Sequence, residues 1–413
     1  MYLLFLSAAD RAFIMRWLNV IIYLYSSGCT PRYIILLKSP LEKEIFNKMS
    51  NICAIIAEYN PLTAGHRYHI KKARELSQSD SVAVILSGDF VQRGEPAIFS
   101  KFARASAAIS AGADIVLELP VEYSCSYAEN FAFGGVSIAK KIGASYLAFG
   151  SETADVEYLK SCASTGVLPS DEALMEKLNT GMTFAKARSE VTGIRPMPND
   201  ILGIEYLKAI ERLGGGIEPI VVKRSVAGHD SDSSPENGEY FSALSLRNAI
   251  RNGEKPRLMP EFAAEKPVFT EDLTSMLLYR LRTMDVSELA EISEVGEGLE
   301  YKIKAAAESS TGMDELLFSI KSKRYPMSRI KRILMKALIG IKKDDCDAAD
   351  VPVRVLAVKK EKQNLLSEIA ANCRLVINPK NCDAMKKSVL ASDIYACIAG
   401  YPAKRDFRNF ILT

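Results

Sequence analysis

Cys53-Ala-Ile-Ile-Ala-Glu-Tyr-Asn-Pro-Leu-Thr-Ala-Gly-His-Arg-Tyr-His-Ile70 decides how the rest of this chain is read. The apolar run from Cys53 to Ala57 suits a strand covered on both faces. Asn60-Pro61 breaks it. Gly65 lets backbone approach a ligand closely. His66 and His69 are three apart, which puts them on one face of a helix near its positive end. A helix N-terminus that follows a parallel strand is a ready phosphate site, and imidazole donors there can stabilise charge that builds on a nucleotide triphosphate. The bland alternative, two satisfied helix histidines, is weakened by the glycine, the Asn-Pro turn and the preceding strand.

Outward from this stretch, strand and helix alternate. Strands are expected at 53–58, 81–87, 114–119 and 144–149, with helices at 68–77, 100–113 and 127–142 between them. Such alternation implies a parallel sheet with helices on both faces, and ligands bind beyond the carboxyl ends of its strands. The polar stretches 58–66, 87–94 and 150–152 all lie at those ends. Residues 154–215 read as helical, 216–223 as a further strand ending at Arg224, 226–241 as a polar loop and 242–252 as helix. Pro256, Pro260 and Pro267 mark a boundary. Helices are expected beyond it at about 270–284, 286–292, 296–308, 313–322 and 326–342. A small αβ piece closes the chain, with strands at 353–358 and 375–377 and helices at 362–372 and 383–397.

The string from Glu58 to Ile70 closely resembles the N-terminal motif of the bacterial tRNA(Met) cytidine acetate ligases, within the wider (H/T)xGH nucleotidyltransferases. Four further segments match that family: Leu86-Ser-Gly-Asp-Phe-Val-Gln-Arg-Gly-Glu-Pro96, Ala148-Phe-Gly-Ser-Glu152, Pro198-Asn-Asp-Ile-Leu-Gly-Ile-Glu-Tyr206 and Ser242-Ala-Leu-Ser-Leu-Arg247. The resemblance covers roughly residue 50 to the C-terminus. It implies an α/β architecture: a Rossmann-like parallel-sheet nucleotidyltransferase domain over 49–255, a helical tRNA-binding domain over 270–345, and a small C-terminal αβ segment over 350–413. The implied reaction joins acetate to the wobble cytidine, position 34, of elongator tRNA(Met) through an acetyl-adenylate, with release of pyrophosphate and AMP.

By the same resemblance the ATP cradle is Ile56, Ala57, Glu58, Tyr59, Asn60, Pro61, Leu62, Thr63, Ala64, Gly65, His66, Arg67, Tyr68 and His69, with His66 and His69 catalytic. Gly150, Asn199, Arg224 and Ser225 are the further ATP contacts it implies. Thr63 departs from the family, which has His there, but its hydroxyl is still a donor. Asn199 is also a good helix N-cap, and both roles can hold. Ser245 and Arg247 stand at the second nucleotidyltransferase motif, where they can meet pyrophosphate; a capped amphipathic helix explains them nearly as well. Arg93, in a polar loop, can hold a small carboxylate or an RNA phosphate, and Lys101 and Arg104 extend that basic surface. The run 321–332 is the densest basic patch. Charge runs are most often solvated faces, but this one resembles a family segment that implies RNA contact by Lys323, Arg324, Tyr325, Arg329 and Arg332, with Tyr325 stacking on a base. Magnesium would accompany the triphosphate, and no carboxylate cage for a metal is visible.

Composition is compatible with this reading. A net charge of +3 is too small for a global nucleic-acid field, so any RNA site must be a local patch. The eight cysteines show no zinc-knuckle or CxxC spacing, a cytosolic pattern without a disulfide framework. Residues 1–48 contain an apolar run, 18–25, too short to span a bilayer. They read as an upstream extension outside the fold, dispensable for ATP binding, and the expected location is cytoplasmic, with no membrane or protein partner. Two alternatives stay open: a small-molecule nucleotidyltransferase, which leaves the C-terminal helices idle, and a non-catalytic RNA-binding protein with a degenerate nucleotide site.

Overall fold

Strand β1 (Ile52–Ala57) lies at the centre of the sheet because every residue of its first four is apolar and buried. It pairs in parallel with β2 (Ser81–Ser87) on one side and with β6 (Tyr146–Ser151) on the other. The computed structural model describes residues 51–164, 172–180, 182, 187, 190–191, 197–224, 242–346 and 351–413. Two short strands, β3 (Phe90–Val91) and β4 (Glu95–Pro96), form a hairpin of their own. The sheet continues through β5 (Ile115–Leu119) beyond β2 and β7 (Glu218–Lys223) beyond β6, all parallel. The expected strands are therefore present, with Gly150 inside β6 rather than just past it.

The C-terminal segment is not an appendage. Its strand β8 (Val353–Val358) pairs antiparallel with β5, and β9 (Leu375–Val376) and β10 (Ile411–Leu412) add to β8. The resulting order, β10-β8-β5-β2-β1-β6-β7, makes one eight-stranded sheet when β9 is included.

Helix α1 (Ala64–Ser77) and helix α2 (Lys101–Ser110) cover one face, burying Ile70, Ala73, Phe102 and Ala105 against Cys53, Ile55, Val82 and Val84. The short helix α3 (Val121–Ser124), helix α4 (Ala128–Lys141), helix α5 (Val156–Ser164) and, after helix α6 (Glu172–Asn179), helix α7 (Pro198–Arg212) serve the other face. Helix α4 can lie close to β1 because Gly135 has no side chain: a Cβ there would come within 2.5 Å of Ile56 Cδ1.

Helix α8 (Ala243–Arg251) leads to the helical region: α9 (Thr274–Thr283), α10 (Val286–Glu291), α11 (Leu299–Ser309), α12 (Met313–Ile320) and α13 (Met327–Ile339). These agree closely with the expected helices because each buries an apolar stripe at helical spacing. After α14 (Asn364–Ala370), the last helix, α15 (Lys386–Ala399), places Ala391, Ile394 and Tyr395 in the helical core, which also takes in Phe90 and Val121. The C-terminal segment thus holds sheet and helices together.

One buried charge cluster reinforces this union. Lys101 Nζ lies 2.7 Å from Glu118 Oε1 and 2.8 Å from Asp406 Oδ1. Arg354 Nη1 lies 2.6 Å from Glu118 Oε2 and 2.6 Å from Asp406 Oδ1. Arg104 donates to the carbonyls of Phe99, Glu58, Ser87 and Gly88. Lys101 and Arg104 are both 0% exposed, so the expected extension of a basic surface is corrected: they hold the strand ends from beneath.

Candidate active site

The polypeptide turns sharply between β1 and α1. Tyr59 has φ 45°, a left-handed conformation that costs a non-glycine residue about 1–3 kcal/mol. Burial of its ring, 5.0 Å from the His66 ring, holds it there. The next peptide, Asn60-Pro61, is cis, and Asn60 Oδ1 accepts the Ile98 N–H at 2.7 Å. Helix α1 begins at Ala64, earlier than the expected 68, with Thr63 as its N-cap. Gly65 and His66 are therefore in its first turn, where unpaired N–H groups point outward.

Thr63 N–H donates to His66 Nδ1 at 3.1 Å, and Thr63 Oγ1 lies 3.1 Å from the same nitrogen. A ring nitrogen that accepts a backbone N–H carries no proton, so the proton of the neutral ring is on Nε2. The sequence departure at Thr63 thus builds a reciprocal cap that orients His66 as a donor. One turn further, His69 Nε2 is buried and has no hydrogen-bond partner among the described residues. Burial first, then the charges of Arg224 and His69, bring the His66 pKa down to about 3; burial and Arg224 bring His69 to about 4. Both rings are neutral at physiological pH.

Arg224 ends β7 and its stem crosses β6, with Cγ 3.2 Å from where a Cβ of Gly150 would be. The opening left by Gly150 is thus shared with arginine rather than reserved for a ligand. Arg224 Nη1 donates to Asn199 Oδ1 at 3.2 Å, and Asn199 Nδ2 donates to Glu152 Oε1 at 2.5 Å. Asn199 is not the N-cap of α7; Met197 is, and Pro198 takes the first helical position. Asp200, fully buried, accepts from Ser151 Oγ at 2.5 Å and from Glu152 N–H at 3.1 Å. Sequence reasoning assigned no role to Glu152 and Asp200, although both lie in the quoted motifs.

Glu58 stands at the end of β1. Its Oε1 accepts the Gln92 N–H at 2.9 Å. Burial raises its carboxyl pKa, opposed by that N–H and by Arg93, Arg247 and Arg104. Arg247 reaches back from α8 to donate to the Asn60 carbonyl at 2.5 Å, which joins the second motif to the first. A cleft of about 160 Å³ opens between them, with Thr63, Ala64 and Arg67 on one side and Leu246, Arg257 and Met259 on the other. A roomier cleft, about 580 Å³, lies at the opposite ends of β6 and β7, away from all these groups.

The structure therefore gathers Glu58, His66, His69, Gly150, Asn199 and Arg224 at the carboxyl ends of the strands. Ser225 lies outside the described residues. No group of three or more His, Cys, Asp or Glu side chains among the described residues is placed to hold a metal ion.

The basic run divides in two. Tyr325 is only 7% exposed, with its hydroxyl 3.1 Å from Glu297 Oε2 and the Arg329 guanidinium over its ring. Arg329 donates to the Glu294 carbonyl at 2.9 Å, and Arg332 pairs with Glu294 at 2.7 Å. Stacking of Tyr325 on a base is corrected, because its ring lies in the core, and so is phosphate contact by Arg332, whose guanidinium is paired with a buried glutamate; Arg329 is half-buried. Lys321, Lys323 and Arg324 remain exposed, Arg324 in a surface pair with Glu297. Lys302 Nζ donates to the Lys321 carbonyl, and Tyr301, next to Lys302 in the chain, is 66% exposed. Phe318, 67% exposed, lies in the preceding helical turn.

The sequence matches the family described as HIGH Nucleotidyl Transferase over residues 50–409. It is 37% identical over 384 residues to the tRNA(Met) cytidine acetate ligase of Thermoanaerobacter sp. (strain X514), covering 83% of this chain and 94% of that one. It is 38% identical over 379 residues to the same-named protein of Caldanaerobacter subterraneus subsp. tengcongensis, with the same coverage. Among solved structures, Thermotoga maritima TmcAL bound with alpha-thio ATP superimposes with a TM-score of 0.77 at 28% identity, over 88% of this chain and 100% of that one.

Proposed function

The chain belongs to the HIGH nucleotidyl transferases and, within them, to the tRNA(Met) cytidine acetate ligases, and from that premise we propose that it acetylates N4 of cytidine 34 in elongator tRNA(Met), with ATP and acetate as co-substrates. One carboxylate oxygen of acetate attacks the α-phosphorus. The bond from that phosphorus to the bridging oxygen breaks and pyrophosphate leaves. The cytidine amine then attacks the acetyl carbon, the bond to AMP breaks, and the amine gives up a proton.

No covalent nucleophile on the protein is required. Positioning and charge stabilisation carry the rate. The observation that carries this reading is the pair of neutral imidazoles at the start of α1: His66, its Nδ1 occupied by Thr63, presents Nε2–H, and His69 Nε2 is buried without a described partner. Both would donate to phosphate oxygens as negative charge grows. Arg224, held by Asn199, adds a cation, and the Ile56–His69 segment surrounds the triphosphate. Magnesium would come with the nucleotide and offset its triphosphate charge, since no group of three or more His, Cys, Asp or Glu among the described residues is placed to hold a metal.

Lys321, Lys323 and Arg324 form the tRNA face, with Tyr301 and Phe318 as exposed rings able to stack on unpaired bases. A wobble base in an anticodon loop is cheaper to unstack than one in a duplex. No described helix is long and apolar enough to cross a membrane, and the cytoplasm is where both substrates would be met. The test is mass analysis of tRNA nucleosides after incubation with ATP and isotope-labelled acetate. Labelled N4-acetylcytidine, dependent on ATP, is expected; its absence from an otherwise folded, ATP-binding protein refutes the reading.

A further inference from the structure

The crevice over the strand ends has two halves. On the β6–β7 side stand Gly150, Asn199 and Arg224, and over α1 stand the two histidines. On the β2 side stands the β3–β4 hairpin, whose tip is Gln92-Arg93-Gly94. Three anchors fix this tip. Gln92 N–H donates to Glu58 Oε1. Gly94, at φ 74°, packs so tightly on the backbone of Lys331 and Arg332 that any Cβ would overlap it. Glu95 Oε1 pairs with Lys331 Nζ at 2.6 Å. Arg93, between the anchors, is exposed, and its guanidinium makes no hydrogen bond or ion pair with any described residue. A pinned hairpin thus presents an unspent guanidinium beside the nucleotide crevice, on the side that adjoins the helical region.

We propose that Arg93 binds the carboxylate of acetate and holds it on the β2 side of the crevice. The proposal rests on the reading that acetate is the acyl donor. Charge decides between a carboxylate and a phosphate chain here. Of the three guanidinium groups that act on Glu58, Arg104 and Arg247 are spent on backbone carbonyls, so Arg93 is the one left to meet an incoming anion. That matches a monoanion, whereas a polyphosphate meets its donors at His66, His69 and Arg224. Burial raises the Glu58 pKa, which lessens its repulsion of an incoming carboxylate. A guanidinium can grip both carboxylate oxygens in a planar fork, which an ammonium cannot. The adjoining Lys331–Arg332 backbone places the bound acyl group next to the region assigned to tRNA.

The experiment measures the initial rate of labelled acetate incorporation into tRNA as acetate is varied, for wild type, Arg93→Ala and Arg93→Lys. ATP and tRNA dissociation constants and melting temperatures are measured alongside. Arg93→Ala is expected to raise the acetate KM roughly tenfold to a hundredfold, the loss of one charge-assisted contact. The kcat at saturating acetate, both dissociation constants and the melting temperature should stay near wild type. Arg93→Lys should recover part of the KM. An unchanged acetate KM in Arg93→Ala overturns the assignment, as does a matching loss of ATP affinity or a loss confined to tRNA affinity. Absence of acetate incorporation in wild type refutes the acetate reading itself, and Arg93 with it.

Discussion

His66 has two chemically separable tasks, and replacing it three ways should separate them. Its Nδ1 accepts the Thr63 N–H at 3.1 Å and so closes the cap of α1, which leaves the proton of the neutral ring on Nε2. His66→Ala loses both. Removal of the cap acceptor should cost about 1 kcal/mol of stability. Loss of a preorganised donor should slow adenylate formation about 10²–10³-fold, or about 2.7–4 kcal/mol of transition-state stabilisation. His66→Asn sets an amide oxygen where Nδ1 was, so stability should return while the rate stays low. His66→Gln sets an amide N–H near the Nε2 position, so part of the rate should return without the cap. The assays are acetate-dependent ATP–pyrophosphate exchange and urea unfolding. If His66→Asn restores exchange to near wild type, the ring acts through the cap and not through phosphate, and the donor role is refuted.

Replacing Lys321, Lys323 and Arg324 together by Ala should weaken tRNA binding and flatten its salt dependence, while ATP binding holds; an unchanged salt slope removes this surface from the RNA face. Glu118→Gln should cost about 3–5 kcal/mol in urea unfolding, because Lys101 and Arg354 would share only Asp406 in a buried site; a loss below about 1 kcal/mol would show that the cluster relaxes. The C2–H resonances of His66 and His69 should titrate near their depressed values of about 3 and about 4 in the free protein; a midpoint near the ordinary 6.5 would refute neutral, desolvated rings. The sign follows for stability. An imidazole with a depressed pKa contributes fully above 6.5, and that contribution drains away as pH falls from 6.5 towards 4 and 3, because the unfolded chain takes up protons the folded one refuses.

Much of the sheet and most helices were legible because burial writes itself into local pattern. Strands covered on both faces read as unbroken apolar runs, and 81–87 and 353–358 match their observed limits. Partners distant in sequence were not legible. Nothing within 353–358 says that it will pair antiparallel with β5. Lys101 and Arg104 read as surface charges because their pattern is that of any basic helix; Lys101 is buried against Glu118 on β5 and Asp406 near the C-terminus, and Arg104 against the carbonyls of Phe99, Glu58, Ser87 and Gly88. Tyr325 read as a stacking ring because its real partner, Glu297, is 28 residues away. At Asn199 a local signal did exist. Pro198 favours the first helical position, which makes Met197 the cap and frees the amide for Glu152 and Arg224.

On the proposed reaction, an adenylate-forming site and an RNA site would share one acyl group, and the division of the basic run bears on how. A sequence of alternating lysine, arginine and isoleucine reads as one surface, yet its second half points inward. Arg332 and Lys336 close on Glu294, and Lys331 closes on Glu95. The Lys331–Glu95 pair draws α13 against the hairpin that carries Arg93 and, through Gln92, against Glu58, while Glu294 ties α13 to the segment between α10 and α11. The Lys331 pair therefore fixes α13 on the hairpin beside the crevice, and the outward charges at 321–324 are the ones proposed to meet a nucleic acid. A cytidine amine must reach an acyl group whose carrier is held by β1 and α1. A loose junction would scatter that approach, since effective concentration depends on near-attack geometry. Buried ion pairs are weak sources of stability but strict about geometry. Ion pairing and the close Gly94 backbone contact at this junction, rather than an apolar seam free to slide, fix the hairpin on α13, as a two-substrate transfer across two regions would require.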